Sequence, residues 1–560
     1  MSAAMKAEID QAAAQLENCD FVTEVNEVAM KVLLNPLILE NVFGFLDTLT
    51  LKSIRLVCTV WTDVGTTILG KQGRLRFSTP RTNPAELTSF NHDLAKNMHI
   101  YFDTNLSCGL DDSCTCPETL TNLPTKFVMI LPEISDKLET LDFYRVDTLE
   151  PLQKLWSTYH FPHLTRISII AMGPHLDKRA PPPEMTQFRL LPNLKVFHLN
   201  ISPGCEKNVA KSLMSTFCQN LVNAAPNLED FDLDATTFCD LTGCRKLKKL
   251  RVIYYSTGRF QFKLSEMMKM IESCRISLES LILDLIGNDI NPTELDLNLP
   301  KLTHLMLNAP DGRIINDSLN ITKLPKLTHF SISNIHTNIL QCDISALIKH
   351  YYLRHKGITS LDVWCDYYPD RAGQAAERLA DLFPAVKQLN LALGLRKVGD
   401  SDQYFLALRE MMHSFSDWDL TCGKVEFAIW CGVVSEISSA QLVIAVLGGM
   451  AGWRGLTNMS LKFIAGPLPH RPELRLLDEM RDALLSCRTI RSMDFTGFLT
   501  KFGTDMYLGN ATTEFEDGFD QKSFGPVGVI GVGGMEEETK DNFQAFIREH
   551  NLPISITIDN

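Results

Sequence analysis

Three cysteines lie close together in one stretch of the chain, at a spacing that would let their thiolates bind a metal. Cys108, Cys114 and Cys116 fall within the glycine- and aspartate-rich residues 107–118. With a fourth ligand they could complete the tetrahedral coordination that Zn²⁺ prefers. Neither a histidine nor a Cys-x-x-Cys pair lies beside them, so we predict free thiols on a loop and no metal site.

The other residue types that catalyse reactions are dispersed along the chain. The 14 histidines do not cluster, and neither a Gly-x-Ser-x-Gly nor a P-loop motif occurs. The glycine-rich residues 525–534 loosely resemble a nucleotide-binding loop, but they lack the required spacing and a complete strand–helix–strand unit. We therefore predict that the chain is not an enzyme and uses no cofactor.

Composition and charge restrict the class of partner. Hydrophobic residues make up 45% of the chain and charged residues 22%, which is enough to bury a large core. The formal net charge is −13, from 54 basic and 67 acidic residues. A nucleic acid or an anionic membrane needs basic patches to neutralise phosphate, so we predict neither as a partner.

The cysteines and the apolar segments indicate the compartment. The 15 cysteines are odd in number and follow no framework spacing, and the first residues do not form a signal peptide. Both observations predict reduced thiols in the cytoplasm or the nucleus. Residues 437–453 carry no charge, but serines, a glutamine and glycines interrupt them, so they predict a buried helix and no membrane span.

Residues 33–69 read as three short helices with more apolar surface than they can bury. Pro36 suits the first turn of the first helix, where its missing amide proton costs nothing. Thr50 and Thr59 are suitable caps for the second and third helices. About forty residues rarely stabilise a fold without a partner, a metal or disulfides. The apolar surplus therefore predicts a docking face.

The same segment resembles the F-box, whose pattern runs from Leu-Pro through Ile-Phe-x-x-Leu to Val-Cys-x-x-Trp. It departs from that pattern at Asn35, where the family usually has its first proline, and at Leu37, where an acid is common. The alternative to an F-box is a helical cap for the residues that follow. The matching residues, which the resemblance predicts to bind an adaptor, are Leu34, Pro36, Ile38, Leu39, Val42, Phe43, Leu46, Leu51, Leu56, Val57, Cys58 and Trp61.

From Leu138 to Phe495 a Leu-x-x-Leu-x-Leu unit recurs about 12–13 times at a mean spacing of roughly 29 residues. Its alternation predicts a short strand that buries one side. Helix-like stretches such as 210–224, 264–271 and 374–382 lie between the strands. A proline precedes six of the units and should end the preceding helix: Pro162, Pro192, Pro226, Pro300, Pro325 and Pro384.

The units resemble leucine-rich repeats, so the chain resembles an F-box protein with leucine-rich repeats. The resemblance predicts an α/β fold, with a three-helix F-box followed by an irregular solenoid, or horseshoe, since unit spacing varies and the usual Asn or Cys ladder is mostly absent. The predicted divisions are an N-terminal helical or flexible segment (1–32), the F-box (33–70), a linker and solenoid cap (71–136), the repeats (137–500) and a C-terminal cap or tail (501–560).

The resemblance also implies a function. Such proteins are substrate receptors of Skp–cullin–F-box ubiquitin ligases. Their F-box docks on the S-phase-kinase-associated (Skp) adaptor, which joins them to the cullin scaffold, and their repeats bind a protein for ubiquitylation. Other subunits transfer the ubiquitin. Two alternatives remain, a leucine-rich-repeat scaffold that never joins a ligase and, more remotely, an enzyme in its own right.

Residues that alternate with the leucines should face outward, because side chains alternate across a strand. Tryptophans there would suit binding, since aromatic residues dominate interface hot spots. The alternatives are a solvated polar face and, for Trp364, packing with Tyr367 and Tyr368. The candidate substrate-binding residues are Asp230, Asp232, Asp234, Lys249, Arg251, His304, Asp362, Trp364 and Trp430.

Overall fold

The computed structural model divides the chain into two compact units, Met1–Leu228 and Glu229–Asn560. The residues that it describes are 29–78, 92–102, 125–146, 149–171, 187–201, 211–234, 238–255, 264–286, 297–308, 319–333, 345, 348, 351–395, 401–429, 439–465, 478–487, 492–496, 545, 548–550 and 555–558. The predicted N-terminal helix, the Cys108–Cys116 cluster, Trp430 and the glycine-rich residues 525–534 lie outside this part of the chain.

The first unit contains the three predicted helices, α1 (Pro36–Phe43), α2 (Thr48–Ile54) and α3 (Thr59–Gln72). Pro36 lies in the first turn of α1, as predicted, behind the cap Asn35. The predicted caps of the other two helices are wrong. Asp47 caps α2, because its carboxylate accepts from the amides of Leu49 and Thr50, and Cys58 precedes α3 without a side-chain cap.

A parallel sheet follows in the same unit. Its strands β1 to β5 pair in chain order, and each of these strands is followed by a longer connection that contains a helix or a turn. Strands β1 and β2 fall within residues 71–136, which the sequence assigns to a linker and cap. The elements are β1 (Leu75–Ser78), β2 (Asn97–Tyr101), α4 (Thr125–Ile134), β3 (Thr140–Val146), α5 (Glu150–Thr158), β4 (Arg166–Ala171), β5 (Val196–Ile201) and α6 (Lys211–Ala224).

The second unit repeats this arrangement, with β6 to β16 paired in parallel and in chain order. Its strands are β6 (Asp230–Asp234), β7 (Lys249–Tyr255), β8 (Ser280–Ile286), β9 (His304–Asn308), β10 (His329–Ser333), β11 (Ser360–Asp366), β12 (Gln388–Leu395), β13 (Cys422–Ile429), β14 (Asn458–Ala465), β15 (Ser492–Thr496) and β16 (Ser555–Ile558). Its helices are α7 (Leu264–Ser273), α8 (Pro369–Leu382), α9 (Ser401–Ser414), α10 (Ser439–Met450) and α11 (Asp478–Ser486).

The leucine positions form the core, so the predicted α/β fold class and strand alternation are confirmed. Because the strands are in register, equivalent apolar residues line up in rows across the sheet. Burying one such side chain contributes about 1.5–3 kcal/mol. One row, in which no residue is more than 2% exposed, comprises Phe231, Leu250, Leu281, Leu305, Phe330, Leu361 and Leu389.

The turns and helices between the strands also follow the sequence patterns. Each of the six predicted prolines begins a two-residue turn just before a strand. Residues 437–453 contain helix α10, whose Leu442, Val443, Val446 and Leu447 are buried. Among the described residues, no helix has both the length and the apolar character that a membrane crossing requires.

Threonines at the strand entrances link consecutive repeats of the second unit. In this threonine ladder, each hydroxyl donates to a backbone carbonyl of the preceding repeat, over 2.9–3.4 Å. The same carbonyl accepts two backbone amides, as Thr303 O does from Thr328 and His329. The ladder fixes the register of neighbouring strands, and its members are Thr303, Thr328, Thr359, Thr421 and Thr457.

Candidate functional site

The three-helix segment has a packed interior that contains part of the predicted adaptor-binding set. Leu39, Phe43 and Leu51 are at most 3% exposed and pack with residues of α3. The Trp61 and Phe43 rings pack in a T-shaped arrangement with their centres 5.3 Å apart, and the Trp61 indole N–H donates to Leu33 O at 2.8 Å. These buried residues hold the helices together and do not form the exposed surface of the segment.

The rest of the predicted set, together with neighbours that the sequence analysis missed, lies at the surface. Leu37, Phe45, Leu49 and Leu56 are 71%, 92%, 75% and 88% exposed. Large apolar side chains exposed together on one short segment indicate an interaction site in soluble proteins. Pro36 is exposed, Leu46 and Cys58 are half-buried, and the other exposed members of the predicted set are Leu34, Ile38, Val42 and Val57. We call the exposed apolar residues of positions 34–57 the apolar face.

The second candidate surface is the outward face of the sheet in the second unit. Lys249 and His304 are exposed there, and the other described candidates, which are Asp230, Asp232, Arg251, Asp362 and Trp364, are half-buried. Strand register places Lys249 and His304 in one row and Asp232, Arg251 and Asp362 in the next. Asp234 lies in β6, but its side chain is outside the described part, as is Trp430.

Arg251 is already bound within the protein. Its Nε and one terminal nitrogen donate to Asp284 Oδ2 at 3.0 and 2.7 Å, and Asp232 lies 3.9 Å away. Asp284, on the neighbouring strand, is only 2% exposed. Burying a carboxylate without a cationic partner destabilises a fold. The main role of Arg251 is therefore to neutralise Asp284. The pair is not predictable from the sequence, because residue spacing does not determine the register between strands.

His304 and His329 are stacked on adjacent strands. Their ring centres lie 4.1 Å apart with the planes 15° from parallel, and the Nδ1 of each ring lies within 2.9 Å of the hydroxyl of the threonine that precedes it. Partial burial, followed by the nearby charges of His329 and Lys249, lowers the pKa of His304 from its ordinary value of 6.5. The stack therefore favours a neutral His304.

We expect this stack to make the second unit less stable in mild acid. Because the folded pKa of His304 is the lower one, the unfolded chain takes up a proton first as pH falls below 6.5. The contribution of His304 to stability is therefore complete above pH 6.5. It declines as pH falls from there to the folded pKa. His304→Asn should reduce the decline in urea midpoint between neutral pH and pH 5, whereas His413→Asn, at an exposed histidine outside the stack, should leave it unchanged. An equal decline in both variants would contradict the assignment.

Trp364 lies on the outward face, as the alternation predicts. In β11 the buried residues alternate with half-buried ones, and Trp364 is in register with Ser333 and Ala392. Tyr367 is directed elsewhere, since it is buried against Tyr404 with ring centres 4.9 Å apart. Two residues before Trp364, burial raises the pKa of Asp362, against the opposing effect of a hydrogen bond with Asn390.

A third feature, in the first unit, was not predicted from the sequence. Six side chains of β1 to β4 meet on the outward face of its sheet, and we call them the arginine–tyrosine cluster: Arg76, His99, Tyr101, Asp142, Tyr144 and Arg166. Asp142 Oδ2 lies 3.0 Å from His99 Nε2, and Asp142 Oδ1 lies 3.8 Å from Arg166 Nε. A terminal nitrogen of Arg166 also lies 3.4 Å from His198 Nδ1, on β5.

A β-bulge follows directly after Tyr144. The register of β3 on β4 shifts between Tyr144 and Val146, and Arg145 between them has a φ of 59°. A left-handed backbone at a residue other than glycine costs about 1–3 kcal/mol, so the surrounding structure must hold it. Bulges of this kind redirect neighbouring side chains.

Six of the eight cysteines that the structure describes are buried in the core, and Cys58 and Cys422 are half-buried. Burial raises the pKa of the Cys244, Cys274 and Cys487 thiols to about 11, 12 and 11, so they are poor nucleophiles at neutral pH. The cysteines described by the structure are free, and no group of three or more potential metal ligands occurs among the described residues.

Comparison with known proteins adds no relative to this picture. No family model matches the chain, and a search of curated proteins found no match.

Proposed function

We propose that this protein is the substrate receptor of a Skp–cullin–F-box ubiquitin ligase, acting in the cytoplasm or the nucleus. Its three-helix segment is an F-box that binds the Skp adaptor, and its repeats bind the protein to be ubiquitylated. The observation that carries the proposal is the apolar face, which is exposed on helices whose own interior is already packed.

An apolar surface of a protein partner would account for the apolar face. Burying one leucine contributes about 1.5–3 kcal/mol, so several exposed leucines on one short segment supply enough energy for a stable complex. A helical cap for the sheet would account for Leu39, Phe43 and Leu51, which are buried, but it gives no reason for Phe45 or Leu56 to be apolar.

The repeats suit the second half of the proposal. Rows of polar and charged side chains on a rigid parallel sheet form a surface that can recognise a protein, and Trp364 adds an aromatic anchor to it. Ubiquitin transfer would belong to other subunits, and this chain would supply binding alone.

The alternative function is a scaffold whose helical segment binds some other protein. Reconstitution distinguishes a ligase receptor from a scaffold. The purified full chain, mixed with purified Skp adaptor and cullin, should elute with both from a size-exclusion column, and the complex should support ubiquitylation of proteins that co-purify with the chain. Failure to bind the adaptor, while partners still co-purify, would favour the scaffold.

Trp364→Ala should weaken substrate capture and leave the fold intact. Covering a half-exposed tryptophan contributes about 2 kcal/mol or more to binding, so the partners captured from cells should fall by roughly 30-fold. Quantitative mass spectrometry of the captured proteins measures this, with adaptor recovery and melting temperature as controls. If the variant melts much earlier and captures the same partners, Trp364 is a structural residue.

A further inference from the structure

The arginine–tyrosine cluster holds one guanidinium in a fixed position at the surface. The Arg76 guanidinium carbon lies 3.9 Å from the centre of the Tyr101 ring, and Tyr101 is stacked on Tyr144 at 4.6 Å with the planes 9° apart. Stacking occupies the face of the guanidinium and leaves the N–H donors at its edge able to bind another group. Within the described part of the chain, no carboxylate is paired with Arg76, which is exposed.

Asp142 is the buried member of the cluster. It is only 7% exposed, and its carboxylate lies within ion-pair distance of both His99 and Arg166. With one carboxylate and two arginines, the cluster has a net positive charge without any contribution from His99. This local charge is opposite in sign to the chain as a whole, at −13.

The bulge at Arg145 adds a second, independent indication. The left-handed backbone directly follows Tyr144, the last ring of the stack. Strained backbone at a non-glycine residue is found preferentially where a side chain must be held for binding.

We propose that the arginine–tyrosine cluster is a binding site for an acidic segment of a partner protein. Arg76 would take a carboxylate or phosphate oxygen pair through its free edge, with the Tyr101–Tyr144 stack as the platform beside it. The anion could come from glutamate and aspartate or from phosphorylated residues. A nucleic acid is a poorer fit, because the net charge of −13 repels an extended polyanion.

This site goes beyond the proposed function and does not require it. It lies in the first unit, whereas the predicted substrate surface lies in the second, and a peptide can bind here without adaptor or cullin. A negative result at the cluster would leave adaptor binding untouched, and the reverse is also true.

The test is fluorescence anisotropy with the full chain and three labelled Gly–Ser peptides, which carry a central run of glutamates, phosphoserines or lysines. The glutamate or the phosphoserine peptide should bind and the lysine peptide should not. Arg76→Gln should weaken binding about tenfold, the effect of losing one charge-assisted pair. Tyr101→Leu, which keeps the charge and removes the platform, should weaken it as well.

The matched control is Lys154→Gln, which removes an exposed positive charge from α5 of the same unit. It should change the affinity by less than about twofold, as expected for an exposed charge outside the site. Tight binding of the phosphoserine peptide alone would identify the anion as a phosphate. Binding of neither acidic peptide, or equal losses in Arg76→Gln and Lys154→Gln, would overturn the proposal.

Discussion

Replacing Leu37, Leu49 and Leu56 together with alanine should abolish adaptor binding and leave the chain folded. These three leucines are more than 70% exposed and belong to the apolar face. If docking covers them, each truncation removes about 1.4 kcal/mol, so the affinity should fall on the order of 10³-fold. Pull-down with purified adaptor measures the loss, and circular dichroism verifies the helices.

Two further variants show whether the loss is specific. Met129, Leu190 and Leu406 are exposed apolar residues elsewhere in the chain, and their triple alanine variant should bind the adaptor normally. Replacing Leu39, Phe43 and Trp61 should also prevent binding, but by unfolding the segment, since losing one buried aromatic side chain costs about 3–5 kcal/mol. Normal adaptor binding by the folded variant that lacks the three exposed leucines would exclude the apolar face as the docking site.

The second large effect is expected at the pair formed by Arg251 and Asp284. Arg251→Met should destabilise the second unit by about 3–5 kcal/mol, because it leaves a buried carboxylate without its cation. Combining it with Asp284→Leu should restore most of that loss, since an apolar pair of similar volume is often neutral or better. Urea unfolding measures the free-energy changes of the single and the double variant. Hydrogen exchange in β7 and β8 shows that these strands are the ones affected.

The pair also has a matched control. Lys248 is exposed and lies 3.9 Å from Glu229, so Lys248→Met should cost less than about 1 kcal/mol. A stable Arg251→Met variant that no longer captures substrate would show that Arg251 is a binding residue first, as the strand alternation alone suggests.

The comparison of sequence with structure shows what a repeat pattern can and cannot predict. The strands were predictable because an apolar residue at every second position has one stable arrangement, with those residues buried. Strand β2 was not predicted because Ala95 occupies the position of the first leucine of the unit. Ala95 is nevertheless fully buried. Position in the repeat, rather than residue size, decided its burial.

The candidate sites depended on information that periodicity does not contain. Helical spacing shows which residues of α1 share a face, but Phe45 lies in the turn after α1, where no helical spacing applies, and Leu49 lies at the start of a second helix. Asp284 and Arg251 are neighbours only through strand register, 33 residues apart in the chain. Tyr101 and Tyr144 likewise meet only after β2 and β3 pair.

The threonine ladder has a consequence for the history of such a chain. Its acceptors are backbone carbonyls, which every residue supplies, so Glu279 and Lys387 serve as well as Thr303 or Thr328. Repeats that have Glu279 or Lys387 in place of the threonine keep the two backbone amide bonds alone. A gene that duplicates or loses one strand-to-strand segment therefore presents the next threonine with an equivalent acceptor. The array can lengthen or shorten by whole segments during evolution without new mutations at the joints.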